Sequence, residues 1–340
     1  MSSSNLKTLL TEYDKKRMRA IFNAHQRKIT LYKQSPRLQE LDDEISKEAI
    51  EISKKMLSSK DARLLDDLNK KIAKTKKEKN NILISLGKPL NYLDPIFECS
   101  DCKDTGYITN SYETVMCHCL KQKLFDLEYN KSNISNLNID NFEHFSFDLY
   151  SNEIDEKKYN SKISPRRNIE LIYNLSKRFI ENFDNPNQKN LLFTGNTGLG
   201  KSFLSSCIAN EILKQGKTVL YQTSPIMFDS IIDYRFGKDN ISKDIYDNLL
   251  SVDLLIIDDL GTESMNKMKF SELFNIINSR LLNNNKITKT IISTNLSLNN
   301  LFSTYDERIV SRFIGNYDIC LFFGDDIRLK KINIKKWQSL

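Results

Sequence analysis

The stretch Gly195-Asn196-Thr197-Gly198-Leu199-Gly200-Lys201-Ser202 has the spacing G-x-x-x-x-G-K-S. Those residue types at that spacing can hold a polyphosphate. Glycines let successive backbone N–H groups turn toward one anion, and a helix N-terminus adds positive potential there. Lys201 can reach β- and γ-phosphates, and Ser202 can offer its hydroxyl to Mg²⁺. The apolar run 191–194 before the loop reads as a short buried strand. Residues 203–213 after it have helical apolar spacing. The motif therefore has the strand–loop–helix context it requires, which a chance glycine-rich turn lacks.

A second set of groups suits the same chemistry. Leu254–Ile257 is an apolar strand that ends in Asp258 and Asp259. Asp258 can support Mg²⁺ and Asp259 can polarise an attacking water. Asn295 ends another apolar strand, where it either orients that water or simply forms a turn. Arg308 and Arg312 are four residues apart and share one helical face. They make either an exposed salt-bridge face or a finger reaching a neighbouring subunit's nucleotide. Arg328 follows the last strand and can contact phosphate in its own subunit.

A third chemistry lies in Cys99-Ser100-Asp101-Cys102 and Cys117-His118-Cys119. Thiolates at C-x2-C and C-x-C can close a tetrahedral Zn²⁺ site and pin a small loop-rich module. Cys119 and His118 compete for the fourth position, with Cys119 preferred. Unligated thiols and an iron–sulfur cluster are the alternatives. The remaining two, Cys207 and Cys320, lie in apolar segments and read as buried thiols.

The elements that must position these groups follow from periodicity. From about residue 166, apolar strands alternate with helical stretches, giving five buried strands. The expectation is a parallel sheet with helices on both faces. Upstream, Leu38, Leu41, Ile45, Ala49, Ile52 and Met56 form a heptad-like stripe. A second helix follows, N-capped by Asp61 and ending near Gly87. An antiparallel helical hairpin results, whose stripe is either its own seam or a partner-binding face. Residues 126–165 read mostly as a linker, with one docked element around Phe142, Phe145 and Phe147.

Of 340 residues, 39% are hydrophobic and 28% charged, which suits a soluble protein. No apolar run approaches the roughly 20 residues of a membrane span. The N-terminus lacks the basic-then-apolar pattern of a secretion signal, so the protein is expected in the cytoplasm. Residues 1–90 carry 21 Lys+Arg against 12 Asp+Glu, which puts the whole net charge of +7 in this arm. Nucleic acid or an acidic protein could use it, or it is a solvated helical face.

The ordered set of phosphate loop, Asp-Asp strand, strand-end Asn, paired Arg and late Arg resembles an AAA+ ATPase. In detail, Ile256-Ile257-Asp258-Asp259-Leu260-Gly261, Glu307-Arg308-Ile309-Val310-Ser311-Arg312 and Asp325-Asp326-Ile327-Arg328 resemble bacterial replicative helicase loaders of the DnaC/DnaI type. They are also similar to transposase-helper ATPases of the IstB type. The likeness covers about residues 166–332. It implies ATP or ADP with Mg²⁺, held by Gly195 to Ser202, Phe203 and Asp258. It also implies Arg312 as arginine finger supported by Arg308, Asn295 as first sensor and Arg328 as second. Only residues 329–340 follow Arg328, so the lid is expected to be truncated.

A helical arm plus a zinc module ahead of the ATPase is similar to the DnaI-type loaders, whose N-terminal region grips the helicase. The implied organisation is 1–90 helical arm, 91–125 zinc module, 126–165 linker and 166–340 ATPase. The implied partners are a hexameric replicative helicase (DnaB-type), single-stranded DNA and further copies of the chain through the ATP sites. Phe228, Tyr234 and Arg235 are candidate DNA contacts, with core packing the alternative for Phe228 above all. A transposase helper and a non-catalytic nucleotide-binding adaptor are the other readings. The cysteine module separates the loader from the transposase helpers.

Overall fold

The structure, a computed structural model, describes residues 3–58, 62–110, 113–128, 140–237, 240–263 and 267–329. It forms two compact units, Thr8–Val115 and Met116–Leu340 with Met1–Lys7.

The first unit is built on helices α1 (Ser3–Gln34), α2 (Pro36–Ser58) and α3 (Ala62–Ser85). Pro36 stands in the first turn of α2, where its missing N–H costs nothing. Ion pairs link Arg37 to Glu78, Asp42 to Lys79 and Glu48 to Lys71. The start of α2 pairs with the later part of α3 and its middle with an earlier part, so the two form the expected antiparallel hairpin. Leu38 and Leu41 are fully buried. Beyond Ile45 the buried position is Glu48, with Ala49 exposed, so the seam keeps the seven-residue spacing from Leu41 where the apolar stripe steps by four. Asp61 and the side chains of Ile52 and Met56 lie outside the described residues. Helix α3 stops where Gly87 takes φ +65° and Lys88 N–H bonds Leu83 O at 2.9 Å. A short hairpin, β1 (Tyr107–Thr109) and β2 (Thr114–Met116), follows.

The second unit carries α4 (His118–Glu128), two single 3₁₀ turns (Phe142–His144 and Phe147–Leu149), α5 (Glu156–Tyr159) and α6 (Pro165–Glu181). After these come β3 (Asn190–Thr194), α7 (Lys201–Lys214), β4 (Val219–Thr223), α8 (Ser224–Arg235), α9 (Asn240–Ser251) and β5 (Leu254–Leu260). The series ends with α10 (Lys267–Leu281), β6 (Lys289–Thr294), α11 (Leu298–Thr304), α12 (Glu307–Asn316) and β7 (Tyr317–Leu321). The sheet order is β4-β5-β6-β3-β7, and every pairing is parallel. Alternate residues feed two cores. Leu191, Phe193, Ile256 and Ile291 face one cluster, while Leu192, Leu255, Ile257 and Ile292 face the other. Period-two burial on both sides is why helices cover both faces. The chain leaves β3 for the far edge and returns, then adds β7 on the other side. That reversal opens a crevice at the C-terminal end of β3.

Packed elements occupy the end of the segment expected as the zinc module and the described part of the one expected as a linker. Helix α4 buries Leu120, Leu124 and Phe125. Its Gln122 side chain accepts from Val219 N–H at 2.8 Å and donates to Val219 O at 3.0 Å. Phe142, Phe145, Phe147 and Tyr150 pack with Tyr173 and Phe203 against the sheet's helical face. These aromatics pack residues 142–150 onto the second unit, with the docked element expected at Phe142 present. No described helix is long and apolar enough to cross a membrane.

Candidate nucleotide and metal sites

The loop after β3 depends on backbone shapes that need glycine. Gly195, Gly198 and Gly200 have φ of +138°, +73° and +88°. A Cβ on Gly195 would stand 2.1 Å from Phe322 O, and one on Gly198 would stand 2.1 Å from an Asp326 carboxylate oxygen. Gly200 precedes α7 and accepts from Leu204 N–H at 2.9 Å, so the helix N-terminus opens at Lys201. Lys201 is 5% exposed. It donates to Gly195 O, Asn196 O and Asn295 Oδ1 at 2.7–2.8 Å. Burial lowers its pKa to about 8, against the pull of Asp259 and Asp258.

Two carboxylates, Asp258 and Asp259, join these groups at a break in the sheet. Ile257 pairs with Ile292 and Leu260 with Thr294, so β5 carries one extra residue there. This is a β-bulge, a device that re-aims side chains beside functional sites. Asp259 absorbs it with φ +56°. Its N–H bonds Ser293 Oγ at 3.2 Å, and its Oδ1 accepts from Asn295 Nδ2 at 3.1 Å. Burial and the neighbouring Asp258 charge raise the Asp259 pKa. Asp258 accepts from Ser202 Oγ at 3.2 Å and from Tyr221 OH at 2.7 Å, and also from Ser293 Oγ. Burial pushes the Tyr221 phenol well above its usual range.

Lys201, Ser202, Asp259 and Asn295 line a cleft of about 370 Å³ that also takes in Phe145, Tyr150, Phe203 and Arg328, and Asp258 is joined to it through the bond from Ser202. Tyr150 OH donates to Leu199 O at 2.9 Å, tying the preceding segment to the loop. Ile327 N–H bonds Gly198 O at 2.9 Å. Arg328, beside it, forms a forked pair with Asp326 at 2.6–3.1 Å. The structure thus brings together the loop residues, Phe203, Asp258, Asp259, Asn295 and Arg328.

Arg308 and Arg312 lie elsewhere, on α12. Arg308 pairs with Asp306, and Arg312 donates twice to Asn278 Oδ1 at 2.9 and 3.1 Å. Both lie over the Phe274 ring, and neither lines this chain's cleft. The candidate DNA contacts are also engaged internally. Phe228 is fully buried. Tyr234 stacks on Tyr246, and Arg235 forms a forked pair with Glu272 at 2.8 and 2.9 Å. Sequence reasoning missed Tyr150, Tyr221 and Ser293, which no spacing marks because each meets the site from another element, and gave Asp326 no role of its own.

The four thiols also converge. The sulfur atoms of Cys99, Cys102, Cys117 and Cys119 all lie within 4.8 Å of one another. The Asp104 carboxylate, buried, accepts from the N–H groups of Glu98 and Cys99 at 3.0 and 2.9 Å. Gly106, at φ +77°, turns the chain toward the hairpin. Four sulfur donors at that separation fit a structural Zn²⁺. His118 is outside the set; its ring lies against the Gly216 turn.

With the geometry in view, the comparisons with known proteins are specific. Residues 109–331, about two thirds of the chain, match the family model described as IstB-like ATP binding protein. The replicative helicase loader DnaC of Buchnera aphidicola subsp. Baizongia pistaciae is 30% identical over 159 residues, which are 46% of this chain and 63% of that protein. The replicative helicase loader DnaC of Escherichia coli K12 is 27% identical over 154 residues, 45% of this chain and 61% of that protein. The chain therefore spans about three fifths of the length of these curated relatives. A crystal structure of the DnaC helicase loader is 25% identical, with TM-score 0.40, covering 50% of this chain and 96% of that one.

Proposed function

The chain belongs to the IstB-like ATP binding protein family, and from that premise we propose that it is a replicative helicase loader. It would be an ATPase that binds the hexameric replicative helicase and delivers it onto single-stranded DNA in the cytoplasm. One observation carries the ATPase part: Lys201, Ser202, Asp259 and Asn295 line one cleft from the start of α7 and the ends of β5 and β6, with Asp258 bonded to Ser202 beside them. The names of the curated relatives support the loader part.

Each residue has a defined task in this reading. The backbone from Gly195 to Lys201 cradles the β- and γ-phosphates, and Lys201 exchanges its carbonyl partners for phosphate oxygens. Ser202 and Asp258 would hold Mg²⁺, which supplies neutralisation of charge on those oxygens. Asp259 orients the attacking water, and Asn295 keeps Asp259 and Lys201 in fixed relation. Arg328 leaves Asp326 for the nucleotide of its own subunit. Arg312, steadied beside Arg308, serves the site of a neighbouring copy, so nucleotide state controls self-association. The four cysteines would hold Zn²⁺, and the helical arm would grip the helicase.

Native mass spectrometry of the full chain with the host's hexameric helicase, with and without ATP, tests this. A complex of defined stoichiometry is expected. Its absence in every nucleotide state overturns the loader reading and favours the transposase-helper alternative.

A further inference from the structure

Tyr221 belongs to no recognised motif, yet its hydroxyl ends on the carboxylate that the proposed function gives to Mg²⁺. The ring is 3% exposed and packs in the core beside Cys207, Ile208 and Ile256. In the β4–β5 register Thr223 pairs with Asp258. Tyr221 stands two residues earlier, on the same sheet face, so only a long side chain reaches along the strand. The phenol does so and donates to Asp258 Oδ2 at 2.7 Å. Ser293 Oγ and Ser202 Oγ donate to the other oxygen, Oδ1.

The three donors are not equivalent. Ser202 is exposed at the cleft, whereas Tyr221 and Ser293 are buried. A serine hydroxyl that turns to ligate a cation gives up its bond to Asp258. Tyr221 and Ser293 then hold the carboxylate, one on each oxygen. Hydrogen bonds to a ligating carboxylate fix its plane and commonly tune metal affinity. We infer that Tyr221 is a positioning residue for metal binding, holding Asp258 Oδ2 so that the carboxylate stays aimed at the cation site. This rests on the reading of the cleft as a Mg²⁺–nucleotide site.

The test is Tyr221→Phe in the full chain, which keeps the ring and deletes only the hydroxyl. Mn²⁺ stands in for Mg²⁺, and electron paramagnetic resonance measures its affinity for the ADP complex. The expected result is Mn²⁺ affinity about tenfold weaker, the low end of outer-shell effects, with ADP affinity in EDTA unchanged. Ser293→Ala, acting on the other oxygen, shifts Mn²⁺ affinity in the same direction. ATP turnover by Tyr221→Phe recovers as Mg²⁺ is raised, whereas mere core damage lowers kcat at every Mg²⁺ concentration. Unchanged Mn²⁺ affinity in both variants overturns the positioning role alone. A wild-type chain that binds no Mn²⁺ with ADP overturns the underlying site reading too.

Discussion

Asp259 shows how much one backbone angle decides. Two consecutive strand residues normally point to opposite faces, so an Asp-Asp pair would send one carboxylate away from the cleft. The bulge, with Asp259 at φ +56°, keeps Asp259 at the cleft while Asp258 is held by buried donors. Burial and the Asp258 charge raise the Asp259 pKa, which suits a group that polarises water. Asp259→Asn is therefore expected to lower ATP turnover about 10²- to 10⁴-fold. Nucleotide affinity, measured by calorimetric titration, should stay near the wild-type value, because Lys201 and the loop are untouched. A parallel loss of binding would move Asp259 from chemistry to site structure.

At the scale of elements, two devices hold the sites in place. The first is the start of β5. Asp253 accepts from Thr218 N–H and Oγ1 at 2.8 and 2.6 Å and pairs with Lys286 at 2.8 Å, locking β4 to β5. Burial opposes its charge, but these bonds outweigh it, and its pKa falls. A depressed carboxylate stabilises the fold above its unfolded pKa and loses that contribution as pH falls through the folded one. Asp253→Asn should thus lower the thermal midpoint most near neutral pH. The gap to wild type, followed by circular dichroism, should close below about pH 4. The second device is the cysteine module. Metal analysis of the purified chain is expected to find about one Zn²⁺ per molecule, and Cys117→Ser to lose it. A wild-type chain with no zinc and four alkylatable thiols would return the cluster to free cysteines.

At the scale of the whole molecule, the two arginines of α12 set the strongest expectation. Neither lines its own cleft, and Arg312 rests on Asn278 and Phe274. A finger that works on a neighbour can be supplied by a different copy. Arg312→Ala should lose about 10³-fold or more in turnover. Mixing it with Lys201→Ala, which keeps its finger but not its phosphate grip, should restore measurable ATPase activity. No recovery at any mixing ratio would remove the trans role.

What the sequence by itself determined was the chemistry whose parts are neighbours in the chain. The phosphate loop, the C-x2-C and C-x-C pairs and the alternation of strands and helices were legible because short backbone stretches close them. Five parallel strands and an antiparallel hairpin followed from apolar period alone. Less legible were the groups that meet across elements. A docked element was legible at Phe142, Phe145 and Phe147, but aromatics without a period give no sign that residues 144–150 wall the cleft. Arg235 looked available to DNA, yet Glu272, 37 positions away, occupies it. Tyr221, Ser293 and Asp258 come from three strands, and their meeting depends on register and on one extra residue in β5. Only the tertiary structure decided that register. Burial of both sheet faces selects it, and that energy is shared among residues that no local pattern connects.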